Sequence, residues 1–197
     1  MRKAIFLDRD GTLNWDPGYL SHPDQLVLLP EVGEALGSLK KAGFLLVVIS
    51  NQSGVGRGLI PVSAIDLIHQ KLDRLLAPFS ASIDHYGLCF HTPWDECECR
   101  KPKPKLILDA AKQLQISLKH SYLIGDRRTD LLAGAHAGCR AQLLVRTGDG
   151  RKTESEISPG EAPFIGDSLL QVANWILAQE NESHSAAFGQ SRGDGKS

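Results

Sequence analysis

No apolar run in this 197-residue chain is long enough to cross a bilayer. The longest, such as 44–49, are strand-sized, whereas a spanning helix needs about 20 residues. Neither sign of charge is in excess, because 22 Lys and Arg offset 23 Asp and Glu to leave a net charge of −1. That balance provides no electrostatic footprint for nucleic acid or an anionic membrane surface. A secretory leader is also missing: Met1-Arg2-Lys3 runs straight into the first apolar stretch, so a cytoplasmic location is the expectation. Cysteine is scarce. In a reducing compartment its four residues read as metal ligands or core positions, not disulfides. Internal repeats and a linker between two cores are absent as well, and the length suits one domain.

What is present is an alternation. Strand-like runs at about 3–8, 44–49, 83–89, 121–124 and 141–145 are separated by helical stretches at about 31–42, 63–76, 104–114, 130–137 and 168–179. This pattern predicts the α/β class, a Rossmann-like parallel sheet with helices on both faces. Ser63 reads as a helix N-cap with Asp66 as its capping-box partner. Residues 147–162, rich in Gly, Ser and Glu, read as a surface loop. The folded domain is expected to span 1–179. Residues 180–197, with almost nothing apolar, are expected to be a disordered tail.

Ala4-Ile5-Phe6-Leu7-Asp8-Arg9-Asp10-Gly11-Thr12 organises the chain. A buried strand ends in two aspartates one residue apart, and the crevice beyond the carboxyl ends of such strands is where α/β sheets bind ligands. The pair suits divalent-metal and phosphoryl chemistry. An Asx-turn after a strand is the plainer alternative. Three further strand ends carry polar groups: Ser50-Asn51, Lys101 in Arg100-Lys101-Pro102, and Gly125-Asp126-Arg127. Phosphoryl transfer requires a nucleophile, hydroxyl and N–H donors, a cation and usually Mg2+, and each has a candidate here.

Together these four signatures resemble the motifs of the haloacid dehalogenase-type phosphatases, over roughly residues 3–178. The resemblance implies an aspartyl-phosphate mechanism. Asp8 would be the nucleophile and Asp10 the general acid and base. Ser50 would hold the transferring phosphoryl group, and Lys101 would offset the charge around Asp8. Magnesium would be held by Asp8, Asp126 and the backbone carbonyl of Asp10. Asp130, one helical turn after Asp126, would orient Lys101 or a metal-bound water; a carboxylate favoured at a helix start explains it equally well. The spacing between motifs leaves no room for a cap domain, so a capless fold with an open site is expected.

Cys89-x-His91, five residues, then Cys97-x-Cys99 supplies four soft ligands within eleven residues. Cys₃His is a closed tetrahedral zinc set, which predicts a structural Zn2+ on a loop just before Lys101. Reduced cysteines on a surface loop are the alternative. Cys139 is expected to be a small buried residue.

Capless phosphatases with a zinc loop act on two main substrates, a heptose 1,7-bisphosphate and histidinol phosphate. Asp16 to Tyr19, Asn51-Gln52-Ser53 through Arg57, and the 144–148 stretch resemble the heptose enzymes. The zinc spacing, and arginine at position 127, resemble the histidinol phosphatases. A bisphosphate needs a second anion site, for which Arg57 on a Gly-rich loop is suited; a solvated loop arginine is the alternative. The expected substrate contacts are Asp16, Tyr19, Asn51, Gln52, Ser53, Arg57, Arg100 and Arg127. The balance favours the heptose bisphosphate as the small phosphorylated partner of a monomer. A zinc or redox protein without phosphatase activity is the reading from a different class.

Overall fold

In a strand covered on both faces, successive side chains enter two different cores, so the sequence shows a continuous apolar run. The computed structural model bears this out. It describes residues 1–189, with side chains through 182. Ile5 and Leu7 of β1 (Ala4–Leu7) and Leu46 and Val48 of β2 (Leu45–Asn51) face one core. There they meet α1 (Val32–Lys41), α3 (Val62–Leu76) and α7 (Leu169–Gly189). Ala4, Phe6, Leu45, Val47 and Ile49 face the other, against α4 (Lys105–Leu114) and α5 (Arg128–Ala137). A single helical turn, α2 (Ser53–Gly56), follows β2.

With β3 (His85–Cys89), β4 (Tyr122–Gly125), β5 (Ala141–Val145) and β6 (Ile165–Gly166), the sheet has the order β3-β2-β1-β4-β5-β6. Every pairing is parallel. The chain winds outward from β1 to β3, then crosses back to β4 on the other side of β1. The reversal lies between β1 and β4, the place where open α/β sheets bind ligands. Asp8 and Asp126 flank it.

Four local expectations are corrected. Residues 147–162 are not simply a loop, because α6 (Gly150–Glu156) forms there and buries Thr153. The N-cap of α3 is Pro61, with no side-chain cap bond, so Ser63 and Asp66 do not form a capping box. Strand ends shift by a residue or two, as boundaries do. The last helix continues past Gln179 to Gly189. Its Glu180 is anchored by Lys3 at 2.7 Å, Arg140 at 2.8 Å and the Tyr122 hydroxyl at 3.0 Å. The rest of the expected tail, 190–197, lies outside the described residues.

Candidate active site

The tip of β1 meets three other segments at one buried point. Lys101 Nζ donates to Asp8 Oδ1 at 2.6 Å and to the Ile49 carbonyl at 2.7 Å, and lies 2.6 Å from Asp130 Oδ1. Its backbone is clamped by Asn51, which accepts from Lys101 N at 3.0 Å and donates to Lys101 O at 3.2 Å. Asn51, expected to touch substrate, lines the cavity and also holds the lysine's backbone. Asp130 Oδ2 accepts from the Arg127 N–H at 3.0 Å, so this carboxylate both caps α5 and orients Lys101.

Asp126 accepts from the Asp149 N–H at 2.8 Å, and its backbone carbonyl accepts from Thr153 Oγ1 at 2.7 Å. Gly11 and Gly148 close in around it at positive φ (85° and 55°). A Cβ on either would sit 2.4 or 2.2 Å from Asp126 Oδ2. The glycine of the first motif is therefore a space requirement as well as a turn requirement.

Carboxylate oxygens of Asp8, Asp126 and Asp130 all lie within 4.8 Å of one another. Burial, followed by the charges of Asp8 and Asp130, pushes the Asp126 carboxyl up to about 8. Burial raises Asp8 to about 6 against the opposing pull of Lys101. Lys101 is itself held above its ordinary range by Asp130 and Asp8, which outweigh its burial. One lysine does not balance three carboxylates. Asp130 has spent both oxygens, so Asp8 and Asp126 are the hard oxygen donors left for a divalent cation, and this donor set fits Mg2+.

Asp10 sits in a separate polar cage. Arg9 grips it with two bonds, Nε to Oδ1 at 3.0 Å and Nη2 to Oδ2 at 2.8 Å. Asn14 Nδ2 donates at 2.9 Å, and Gln52 Nε2 donates both to Asp10 Oδ2 at 2.9 Å and to Ser50 Oγ at 2.8 Å. Burial would raise this carboxyl, but the Arg9 charge and these hydrogen bonds outweigh it and hold it below the usual carboxylate range. Gln52, expected as a substrate contact, lines the cavity and also ties Ser50 and Asp10 together. Arg9 escaped the sequence reading. Its signal was an arginine between two aspartates at a buried strand end, and it is fully buried.

A cavity of about 660 Å³ opens over Asp8, Asp10, Ser50 and Lys101. Asp16, Tyr19, Asn51, Gln52, Ser53, Arg100 and Arg127, seven of the eight residues expected to contact substrate, line it together with Arg128, Lys152 and Glu156, which were not foreseen. Arg127 joins the two rims, at 3.0 Å from Asp16 and 3.0 Å from Asp149. Arg57 is not on the wall. Its guanidinium lies over the Trp94 ring, 4.8 Å from the centroid, on the outside of the cysteine loop.

In that loop Cys89, His91, Cys97 and Cys99 point their ligand atoms at one centre, all within 4.8 Å of one another. Cys89 Sγ is 3.8 Å from Cys97 Sγ and 3.6 Å from His91 Nδ1, and Cys99 Sγ lies 3.0 Å from Cys89 Sγ and 3.2 Å from His91 Nδ1. Three sulfurs and one nitrogen gathered at one point are a Cys₃His donor set, which fits Zn2+.

A HAD-hydrolase-like family model matches residues 98–172. The D-glycero-beta-D-manno-heptose-1,7-bisphosphate 7-phosphatase of Bordetella bronchiseptica is 38% identical over 178 residues, covering 90% of this chain and 99% of its own. That of Helicobacter pylori J99 is 41% identical, covering 88% and 97%. The crystal structure of the D,D-heptose 1,7-bisphosphate phosphatase from B. bronchiseptica, complexed with magnesium and phosphate, superposes with a TM-score of 0.84. Its sequence identity is 37%, and the match covers 90% of this chain and 99% of that one. Fold, site and sequence agree: the chain belongs to the haloacid dehalogenase-like hydrolases, in the family of the D-glycero-beta-D-manno-heptose-1,7-bisphosphate 7-phosphatases.

Proposed function

We propose that this protein is a Mg2+-dependent phosphatase that removes the 7-phosphate of D-glycero-D-manno-heptose 1,7-bisphosphate through an aspartyl-phosphate on Asp8. The observation that carries the reading is the meeting of Asp8 and Asp10, from the tip of β1, with Lys101 from a distant segment at the floor of one cavity, with Asp126 within 4.8 Å of Asp8. The relatives' names supply the substrate.

An Asp8 carboxylate oxygen attacks phosphorus while the bond to the sugar oxygen breaks, and Asp10 gives that oxygen a proton. Asp10 then takes a proton from water as the water oxygen attacks the acyl phosphate, which frees Asp8 and releases phosphate. The low-lying Asp10 carboxyl suits the second half. For the first half, the approach of a phosphate dianion favours its protonated form. Ser50 Oγ, oriented by Gln52, and Lys101 Nζ stabilise the charge on the transferring group. When bound by Asp8, Asp126 and the Asp10 carbonyl, Mg2+ supplies Lewis-acid charge neutralisation.

The cavity is polar and open, as a sugar phosphate requires. Arg100, Arg127, Arg128 and Lys152 on its wall are the cations available to the second phosphate. Zinc on the cysteine loop would fix the backbone leading to Lys101. We further infer a monomeric cytoplasmic protein with one catalytic domain, which extends past residue 179 at least to the anchored Glu180. No described helix is long and apolar enough to cross a membrane.

The test compares kcat/KM for the heptose bisphosphate and histidinol phosphate on one preparation with Mg2+. The heptose substrate is expected to be preferred, and Asp8→Asn is expected to trap no phosphoenzyme. A preference for histidinol phosphate would overturn the substrate. Turnover surviving Asp8→Asn would overturn the mechanism.

A further inference from the structure

Three buried side-chain polar atoms lack a hydrogen-bond partner among the described residues: Arg9 Nη1, Asn14 Oδ1 and His69 Nε2. Two belong to side chains that already hold the Asp10 carboxylate. The third projects from α3, a helix that otherwise buries Ile65, Ile68 and Leu72. The sheet explains how it comes near them. Leu7, Val48 and Tyr86 pair across β1, β2 and β3 and so share one face. Arg9 lies in the bend just after β1, and its charge acts on both the His69 ring and the Tyr86 hydroxyl. The His69 ring stacks on Tyr86, with 3.9 Å between centroids and 9° between planes, and the Tyr86 hydroxyl donates to Asp73 at 3.0 Å.

We propose that His69 is a positioning residue of the active site: its Nε2 accepts, across one internal water, the hydrogen bond of Arg9 Nη1, and so fixes the guanidinium that grips Asp10. A wholly buried N–H needs an acceptor, and an internal water with two or three polar partners is the ordinary way to provide one. Asn14 Oδ1 offers that water another acceptor beside the same carboxylate. Burial, aided by the nearby Arg9 charge, pushes the imidazole down to about 4. His69 is therefore neutral at physiological pH and presents a lone pair instead of a second positive charge. Arg9 Nη2 is also held by Gln52 Oε1 at 3.0 Å; without the imidazole lone pair Nη1 loses its acceptor, and the two-point grip that aims Asp10 loosens.

This inference rests on the reading of Asp10 as the proton donor and acceptor of a phosphatase. Its test measures single-turnover rate, kcat and KM with Mg2+ and an aryl phosphate on the full chain. His69→Phe keeps the ring stack and removes the acceptor; His69→Gln returns an amide oxygen near the Nε2 position. The Phe variant is expected to lose about tenfold in single-turnover rate with KM unchanged, because His69 does not line the cavity, while the Gln variant stays within about twofold. If His69→Phe does not fold, His69→Asn, whose amide stops short of that position, replaces it under the same criteria. A wild-type rate in the Phe (or Asn) variant, an equal loss in the Gln variant, or a change confined to KM overturns the proposal alone. Wild-type protein inactive on every phosphate ester overturns the phosphatase reading and this inference with it.

Discussion

Replacing Lys101 with methionine keeps the aliphatic stem and removes the charge from the most crowded point of the molecule. Nζ lies 2.6 Å from one oxygen of Asp8 and 2.6 Å from one of Asp130, and the side chain is 4% exposed. At an effective dielectric constant near 20, each contact is worth about 6 kcal/mol of Coulomb attraction, most of which desolvation consumes. Removing one partner of such a buried set costs about 3–5 kcal/mol, since the remaining charges are left uncompensated. Here Asp8, Asp126 and Asp130 would face one another within 4.8 Å. Against a total domain stability of about 5–15 kcal/mol, that is a large fraction. Urea denaturation in EDTA at pH 8, where protonation offers the carboxylates least relief, reads the loss directly. Mg2+ is expected to recover part of it. The double variant Lys101→Met with Asp130→Asn is expected to be more stable than Lys101→Met alone, because it removes one of the stranded carboxylates. Turnover of an aryl phosphate is expected to fall by about 10²–10³. Stability of Lys101→Met within about 1 kcal/mol of wild type, or a double variant weaker than the single one, would refute the account of a lysine balancing a carboxylate cluster.

Three more outcomes follow from the same geometry. In EDTA, thermal stability is expected to fall as pH rises from 5 to 8. The folded Asp8 and Asp126 carboxyls, pushed up to about 6 and about 8, bind protons that the unfolded chain releases near 3.8; saturating Mg2+ is expected to weaken or reverse this slope, and a flat profile in EDTA would count against the cluster. Cys97→Ser is expected to lower zinc content, melting temperature and activity together, and full activity with no bound zinc would separate the loop from Lys101. Arg127→Ala is expected to raise KM for the heptose bisphosphate more than for an aryl monophosphate, whereas Arg57→Ala, stacked on Trp94 away from the cavity, changes both alike; a bisphosphate-specific loss in Arg57→Ala would return that arginine to the substrate site.

Much of the chemistry could be read from the sequence because it sits at strand ends, where a change from apolar to acidic residues is visible without coordinates. Asp8, Asp10, Ser50 and Asp126 were singled out that way; Lys101, which the sequence also put at a strand end, lies twelve residues past the end of β3. The four zinc-type ligands were singled out because they fall within eleven residues. What escaped the sequence has a common cause. Asn51 and Gln52 line the cavity, but the structural bonds their amides also make depend on what stands opposite them. Lys101 stands opposite one, and Asp10 with Ser50 opposite the other. Residues 147–162 have loop composition, but α6 forms because Thr153 and the Asp149 N–H have Asp126 to bind. Glu180 looked like the start of a polar tail until Lys3, Tyr122 and Arg140 supplied its partners.

By itself, then, the sequence determined the layering of the sheet, the order of the strands' polar tips and the presence of a metal-type cysteine loop. These follow from local periodicity and from spacings short enough to be read along the chain. Tertiary structure alone decided how the carboxylates divide their work. Asp130 turns to Lys101 and the start of α5, Asp126 is enclosed by two glycines 137 positions apart in sequence, and Asp10 is held by a buried Arg9. Such assignments depend on which groups meet across the switch point between β1 and β4. Only the folded chain brings them within hydrogen-bond distance, where burial and neighbouring charge set what each can do.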